Sequence, residues 1–280
     1  MTDTAAEPTV LDVVNALDRR YPRAWAESWD RVGMVLGDFE HPVRRVLCVV
    51  DCVPETVEQA LDERADLIVA HHPLLLKPVS SIAPDTYKGR IIHRLIRNDI
   101  ALYCAHTNAD VANPGVSDAL AARLGLRDLR PLVPATGAAE GAGRGIGRVG
   151  ELAEPMDLAE LTGFVAARLP ATAAGVRAAG DPSQVVRTLA VCGGAGDSFL
   201  ADATRAGVDA YLCADLRHHP AGEHLAAAGP ALVGLTHWAS EWPWCGQASA
   251  LVDTAFAGNV DSHVSTRCTD PWTVRATPAS

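Results

Sequence analysis

The first hundred residues alternate between helical periodicity and short apolar runs. Segments with apolar residues at helical spacing are predicted as helices, at residues 10–21, 54–65 and 90–97. Short apolar runs rich in β-branched residues are predicted as buried strands, at residues 43–50, 66–70 and 100–105. Strands that alternate with helices in this way indicate crossover connections and therefore a parallel sheet.

A glycine- and alanine-rich stretch at residues 134–150 interrupts the pattern and is predicted to be a linker or a glycine-rich connection. Further helices are predicted after it, at residues 157–169, at 199–206 and from Ser240 or Glu241 onward. Further strands are predicted at residues 185–192, 210–213 and 231–237. The GGAGDS segment at 193–198 lacks the lysine of a P-loop and the full dinucleotide fingerprint, so a tight turn is favoured over an anion-binding loop.

Length, composition and charge limit the class of protein. The 280 residues allow one large domain or two modest ones, and a content of 48% hydrophobic and 21% charged residues excludes wholesale disorder. Acidic residues outnumber basic ones by 34 to 24, and the resulting charge of −10 disfavours general binding of nucleic acid. The chain has no apolar run near the ~20 residues of a membrane span and no recognisable secretory signal. Seven cysteines without a C-x-x-C pair favour reduced thiols, so a cytoplasmic location is expected.

Two histidine-bearing motifs directly follow predicted strands. His71 and His72 come after the second strand, and the imidazole of histidine is a common metal ligand. A polar loop with two incidental histidines explains the same pair equally well. After the third strand, His106, Asn108 and Asp110 share one face of an extended segment, where Asp110 can ligate or bridge cations. An Asx-type turn that caps the next helix is the alternative for that segment.

The third motif is the His237-Trp238-Ala239-Ser240-Glu241 segment. On a helix, His237 and Glu241 lie one turn apart on the same face, although these residues can also simply open a helix. Together the three motifs supply more imidazoles and carboxylates than the four ligands of a structural zinc. Mixed nitrogen and oxygen ligation suits Zn, Mn, Fe, Co or Ni, and six candidate ligands fit two divalent cations roughly 3.5–4 Å apart. Such a pair indicates hydrolysis or hydration chemistry.

At these motifs the chain resembles the NIF-three-like family, in the short form that lacks a long central insertion. Members of this family are described as hexameric proteins with a dinuclear metal centre, and some are named GTP cyclohydrolase I type 2. The matching stretches follow the order of the family along nearly the whole chain, at residues 24–38, 69–78, 100–121, 147–152, 190–200, 236–241 and 269–273.

The resemblance implies a set of site residues. The implied metal ligands are His71, His72, Asp110, His237 and Glu241, with Glu241 as the bridging carboxylate. The implied catalytic groups, which would shuttle protons close to the metals, are His106 and His219. The chain departs from the family pattern at Cys213-Ala214-Asp215 and at Thr236, which bears on the substrate more than on the metals.

The resemblance also implies an α/β fold of two lobes with mostly parallel sheets and a metal site in the cleft between them. The expected first lobe is residues 1–130 with 230–280 and carries the metal ligands, and the second is 131–229. A homohexamer is expected, acting on a small-molecule substrate. The most specific activity is that of a GTP cyclohydrolase, in which metal-bound hydroxide attacks C8 and opens the guanine imidazole ring. The alternatives are a dimetal hydrolase of another small metabolite or phosphoester and a non-catalytic metal-handling or adaptor protein.

Overall fold

The computed structural model describes residues 7–276, which divide into two α/β units. Unit 1 comprises the described residues up to Ala109 together with Cys245–Thr269. Unit 2 comprises Asp110–Trp244 together with the described residues from Asp270 onward. The chain therefore leaves the first unit, builds most of the second, returns to the first at Cys245 and passes again to the second at Asp270.

The strands, in chain order, are β1 (Gly33–Leu36), β2 (Arg45–Val49), β3 (Leu67–Ala70), β4 (Ala101–Cys104), β5 (Arg127–Pro134), β6 (Gly145–Asp157), β7 (Arg177–Ala179), β8 (Val185–Ala195), β9 (Ala210–Ala214), β10 (Ala231–Leu235) and β11 (Asp261–Val264). The α-helices, in chain order, are α1 (Val10–Arg20), α2 (Pro54–Asp62), α3 (Tyr87–Arg97), α4 (Thr107–Asp110), α5 (Val116–Arg123), α6 (Leu158–Arg168), α7 (Leu200–Ala206), α8 (His218–Ala226) and α9 (His237–Phe256).

The sheet of unit 1 has the strand order β1-β4-β3-β2-β11. In this sheet β4 pairs parallel with β3, β3 with β2 and β2 with β11, whereas β1 pairs antiparallel with β4. Every residue of β3 and β4 is buried, as expected for strands covered by crossover helices on both faces. The prediction of a parallel sheet from the first hundred residues is confirmed.

Unit 2 has a mixed sheet with the strand order β5-β6-β8-β9-β10-β7. Strands β8, β9 and β10 are parallel, but β5 pairs antiparallel with β6, β6 with β8, and β7 with β10. The α/β class is confirmed, whereas the expectation of a mostly parallel sheet is wrong for this unit. For β5 and β6 the reason is their short connection, since a hairpin can join only antiparallel strands.

The predicted linker at 134–150 is wrong in its second half, because β6 begins at Gly145. Gly147 has a φ of +64°, and a Cβ there would lie 3.0 Å from the Cβ of Leu132 and 3.1 Å from the carbonyl oxygen of Val191. The glycine therefore serves a close approach of neighbouring backbones inside the sheet. Composition alone does not distinguish such a strand from a linker.

The unit boundaries differ from the predicted limits at residues 130 and 230. Helix α5 packs on β6 and β8, and β10 pairs with β9, so the segments 110–130 and 230–244 belong to unit 2. The described residues from Asp270 onward, which were expected in the first lobe, also belong to unit 2. The chain returns to unit 1 within α9, and β11 then adds a parallel strand to β2. Helix α9 also begins earlier than predicted, at His237, and continues through Pro243.

None of the helices within residues 7–276 combines the length and the apolar character needed to cross a bilayer. Six of the seven cysteines are buried, and Cys268 is exposed. Burial, reinforced by the charge of Asp51, raises the pKa of the Cys52 thiol to about 12. The buried thiols therefore behave as small apolar groups of the core.

Candidate metal centre

Three imidazoles come together in unit 1. His71 and His72 directly follow β3, and His106 lies two residues beyond the end of the neighbouring parallel strand β4. The ring centroids are 5.1 Å apart for His71 and His72, 5.2 Å for His71 and His106, and 5.6 Å for His72 and His106. One ring nitrogen from each of the three lies within 4.8 Å of the others, so the group is close enough to share a metal ion.

Each of these imidazoles is held through its Nδ1 atom by an oxygen acceptor. His71 Nδ1–H donates to the Ala105 carbonyl at 2.8 Å. His72 Nδ1–H donates to Asp51 Oδ1 at 2.7 Å, and His106 Nδ1–H donates to Asp30 Oδ1 at 2.9 Å. Carbonyl and carboxylate oxygens only accept, so Nδ1 carries a hydrogen, and in the neutral imidazole Nε2 is then the atom with the lone pair. Metal-ligating histidines are oriented in this way by their outer partners.

Asp30 supports the group most strongly because it receives several hydrogen bonds. Besides the His106 ring, Thr107 donates to Asp30 Oδ2 through its backbone N–H at 3.0 Å and through its hydroxyl. Burial works to raise the pKa of the Asp30 carboxyl, but the hydrogen bonds from His106 and Thr107 outweigh it and hold the pKa well below its usual range. Asp30 is therefore ionised and fixes the orientation of the His106 ring.

Asn108, which the sequence placed on the same face as His106, has a structural role. It is fully buried, its Oδ1 accepts the backbone N–H of His106 at 3.0 Å, and its Nδ2 donates to the Tyr21 carbonyl at 2.7 Å. The extended segment predicted here is wrong, because Thr107–Asp110 form the short helix α4. The Asx-type turn considered as the alternative is also wrong, because such a turn accepts an N–H from two residues onward, whereas Asn108 accepts from His106, two residues before it. Asn108 holds the backbone that carries the imidazole.

The expectation that the first unit carries all the predicted metal ligands is wrong, because Asp110, His237 and Glu241 belong to unit 2. His237 and Glu241 lie at the start of α9. His237 Nε2 lies 3.0 Å from Glu241 Oε1, and Glu241 is 3% exposed. His237 Nδ1 donates to Asp215 Oδ2 at 2.6 Å, and Asp215 immediately follows the end of β9. The Nδ1 atom of His237 is thus held by an oxygen acceptor, as it is in the three histidines of unit 1.

Glycine at the end of β8 makes room for the carboxylate. Gly194 has a φ of +75°, and a Cβ there would lie 2.4 Å from Glu241 Oε1 and 3.3 Å from His237 Nε2. Its backbone N–H donates to Ser240 Oγ at 2.8 Å. The tight turn predicted at 193–198 is wrong for residues 193–195, which continue β8. The glycines are needed because strand and helix meet at this point.

Asp110, the last residue of α4, is half-buried and belongs to unit 2. Burial is the main cause of the raised pKa of the Cys192 thiol, and the charges of Cys213, Asp110 and Glu241 add to it. Two of the predicted carboxylate ligands therefore lie near the same buried thiol.

The segment that follows Asp110 is tied down by Arg148, which is 1% exposed. Its guanidinium donates to both carboxylate oxygens of Asp118, at 2.7 and 2.6 Å. It also donates to three backbone carbonyls, those of Ala112, Gly145 and Gly147. One buried cation thus connects β6 to the loop after Asp110 and to the start of α5.

His219, the second predicted catalytic group, lies on the first turn of α8 and is exposed. Its ring contacts that of His218 at 5.1 Å. Within residues 7–276, no hydrogen bond or ring contact joins it to a predicted ligand. Its catalytic role stays a prediction.

Sequence reasoning missed the aspartates that hold the histidines. Asp51 lies two residues beyond the end of β2, and Asp215 directly follows β9. The rule that singled out His71, namely its position at the carboxyl end of a strand, applies equally to both of them. Asp30 lies in the irregular segment before β1, where no comparable signal marks it.

The model of the Duf34/NIF3 (NGG1p interacting factor 3) family matches residues 8–271. A Streptomyces coelicolor protein named GTP cyclohydrolase 1 type 2 homolog is 51% identical, and the match covers 97% of this chain and 96% of that protein. A Mycobacterium tuberculosis protein of the same name is 37% identical, with coverages of 94% and 96%. The crystal structure of a Bacillus cereus protein related to NIF3 aligns with a TM-score of 0.88 and 25% identity, over 97% of this chain and 100% of that one.

Proposed function

Because this chain belongs to the Duf34/NIF3 family, we propose that it binds divalent metal ions and uses them to hydrolyse a small molecule. One observation carries the proposal. Each of four imidazoles, those of His71, His72, His106 and His237, is held through Nδ1 by an oxygen acceptor. Histidines that serve only to fill a core have no need of this shared arrangement, whereas metal ligands are oriented by it.

The donor set fits a pair of divalent cations. Imidazole nitrogens and carboxylate oxygens, without thiolate, suit Zn, Mn, Fe, Co or Ni. The residues that would hold the cations are His71, His72, Asp110, His237 and Glu241. Glu241 fits the role of bridging carboxylate because it is almost fully buried and Gly194 leaves it the space it occupies.

When bound, such cations lower the pKa of water and supply a nucleophile near neutral pH. The protein's own contribution is orientation and proton transfer. His106 keeps its hydrogen on Nδ1, toward ionised Asp30, so its Nε2 atom can accept a proton from the reacting group. Asp30 then stabilises the imidazolium that forms. His219 is the second candidate for proton transfer.

The names of the relatives support GTP as the first substrate to assay. In that reaction one water hydrolyses the C8–N9 bond and opens the guanine imidazole ring, which leaves C8 as a formyl group on N7. A second water hydrolyses the C8–N7 bond, and C8 leaves as formate. Metal exchange without turnover of any substrate would favour the alternative, a metal-handling or adaptor protein.

The first test is the metal content of the purified chain, measured by mass spectrometry. We expect about two cations per chain, with at least half of the metal lost in Glu241→Gln. The matched control is Glu223→Gln, which removes the same charge from an exposed position on α8 and should leave the metal unchanged. The proposal would be overturned if the wild-type chain bound none of the five candidate cations.

The second test is formate release from GTP by the metal-loaded chain. We expect His106→Gln to lose most of the activity while it retains its metal, because the proton acceptor at Nε2 is replaced by an amide. Absence of ring opening by fully loaded wild-type protein would remove GTP as the substrate. A screen of phosphoesters and other small metabolites would then follow.

A further inference from the structure

Unit 2 contains a cavity of about 340 Å³ that adjoins His237. Its wall includes Thr236 and His237 from the start of α9, Arg177 from β7, and Trp272 from the segment that follows Asp270. The volume is that of a site for a small ligand. None of the predicted metal ligands except His237 lines it.

Arg177 is the charged group of this cavity that is available to a ligand. It lies on β7, opposite Gly234 of β10, and a Cβ on Gly234 would lie 3.5 Å from Arg177 Nε. Among residues 7–276, Arg177 takes part in no ion pair or side-chain hydrogen bond. The Arg177 side chain therefore lies beside β10, in contact range of this glycine.

The two carboxylates that line the cavity already have internal partners. Asp215 accepts the hydrogen of His237 Nδ1, and Asp270 accepts the backbone N–H of Trp272 at 3.0 Å. Asp270 is also 7% exposed, so its charge is largely withdrawn from solvent. Both carboxylates keep their negative charge, but the hydrogen bonds they accept are made within the chain, whereas the Arg177 guanidinium is available to pair with an anionic group of a ligand.

Trp272 supplies a flat apolar surface. Its side chain is 69% exposed, although tryptophan is usually well buried. An exposed indole in the wall of a cavity, near an unpaired arginine, is the arrangement that binds a flat ring carrying an anionic group. A second guanidinium, that of Arg275, approaches the same wall, since its Nη1 atom would lie 3.3 Å from a Cβ on Gly175.

We propose that this cavity binds the substrate by stacking its heterocyclic ring on Trp272 and pairing its phosphate with Arg177. The substrate class is then a nucleotide, held beside His237. This inference rests on the proposed function for its meaning as a substrate site, but its binding test does not require bound metal.

The experiment is calorimetric titration of the chelator-treated full chain with GTP and with inorganic triphosphate. We expect GTP to bind the wild type more tightly than triphosphate does. We expect Arg177→Gln to weaken GTP binding about tenfold or more, since it removes a charge-assisted contact. The control Arg127→Gln, which removes the same charge from an exposed position on β5 of the same unit, should bind like the wild type.

The ring contact is tested by two changes at one position. Trp272→Ala should weaken GTP binding by roughly fivefold to a hundredfold and leave triphosphate binding unchanged, while Trp272→Phe should restore most of the loss. Equal GTP affinity for Arg177→Gln and Arg127→Gln would overturn the inference, and so would a wild type that binds no GTP. Metal content is measured separately, so failure of the metal proposal is distinguishable from failure of this one.

Discussion

The two groups of candidate ligands are built by different means. In unit 1, three imidazoles converge because two neighbouring parallel strands, β3 and β4, end side by side and each is followed by histidine. In unit 2, His237 and Glu241 meet because they are four residues apart on one helix. The first arrangement depends on sheet topology and the second on local helical periodicity.

The support around the two groups differs as well. The unit 1 imidazoles are held by Asp30, Asp51 and a backbone carbonyl. The unit 2 pair needs the absence of a side chain at Gly194, and the loop after Asp110 needs the buried cation of Arg148. We therefore expect metal binding by unit 1 to be sensitive to loss of charge. For unit 2 we expect metal binding to be sensitive to added volume at Gly194, and stability to loss of the buried Arg148–Asp118 ion pair.

The largest expected effect is on unit 2, from Arg148→Met. This change leaves the buried Asp118 carboxylate and three carbonyls without their donor, so we expect a loss of about 3–5 kcal/mol in the free energy of unfolding. Urea denaturation followed by circular dichroism measures it. The control is Arg94→Met in unit 1, which breaks an exposed pair with Glu58 and should change stability little. If Arg148→Met and Arg94→Met lost similar free energies of unfolding, the contrast between the two units would be wrong.

The next effect tests the space that glycine leaves beside Glu241. Gly194→Ala places a Cβ 2.4 Å from Glu241 Oε1, which must then move, so we expect metal affinity to fall by up to about 100-fold in a chelator competition assay. The matched control is Gly207→Ala, which has a φ of +68° but no atom within 4 Å of the new Cβ. Gly207→Ala therefore introduces similar backbone strain without displacing a neighbouring atom. Unchanged affinity in Gly194→Ala would show that Glu241 needs no such clearance.

Unit 1 should respond instead to loss of charge. Asp51→Asn keeps an oxygen that can accept the His72 hydrogen but removes the negative charge. We expect metal affinity to fall about tenfold in the same competition assay. The control Asp62→Asn removes an exposed carboxylate at the end of α2 and should leave affinity unchanged. If the two variants bind metal equally, charge at Asp51 has no role.

The smallest effect concerns an arrangement found in both units, an aspartate that accepts two backbone N–H groups. Asp66 accepts the backbone N–H groups of Arg44 and Arg45 in unit 1, and Asp209 accepts those of Arg187 and Thr188 in unit 2. Burial works to raise the pKa of Asp209, but the hydrogen bonds from Thr188 and Arg187 outweigh it and lower the pKa below the usual 3.8.

A lowered pKa means that Asp209 stabilises the fold fully above pH 3.8, and that this contribution disappears as the pH falls through the lower folded-state value. We expect Asp209→Asn to lose about 1 kcal/mol at pH 7. The difference from the wild type should shrink below about pH 4, as measured by urea denaturation at several pH values. A difference that stays constant down to pH 3 would contradict this assignment.

Much of the secondary structure could be predicted because it is a local property. The alternation of β2, α2, β3, α3 and β4 follows from periodicity, and the structure confirms each element within a few residues. Two of the predictions failed at glycine-rich segments. Residues 145–150 and 193–195 have the composition of a linker or a turn, yet both lie in strands, since glycine allows close backbone approach as well as flexibility.

The sequence by itself determined which residues are candidate ligands, because histidines and carboxylates that follow strands, or lie one helical turn apart, can be recognised from type and spacing. Only the tertiary structure decided what orients them. His106 is held by Asp30, His72 by Asp51 and His237 by Asp215, pairs that are 76, 21 and 22 positions apart in the chain. No local periodicity connects residues at such separations. Their contacts arise only when strands and loops that are distant in sequence fold against one another.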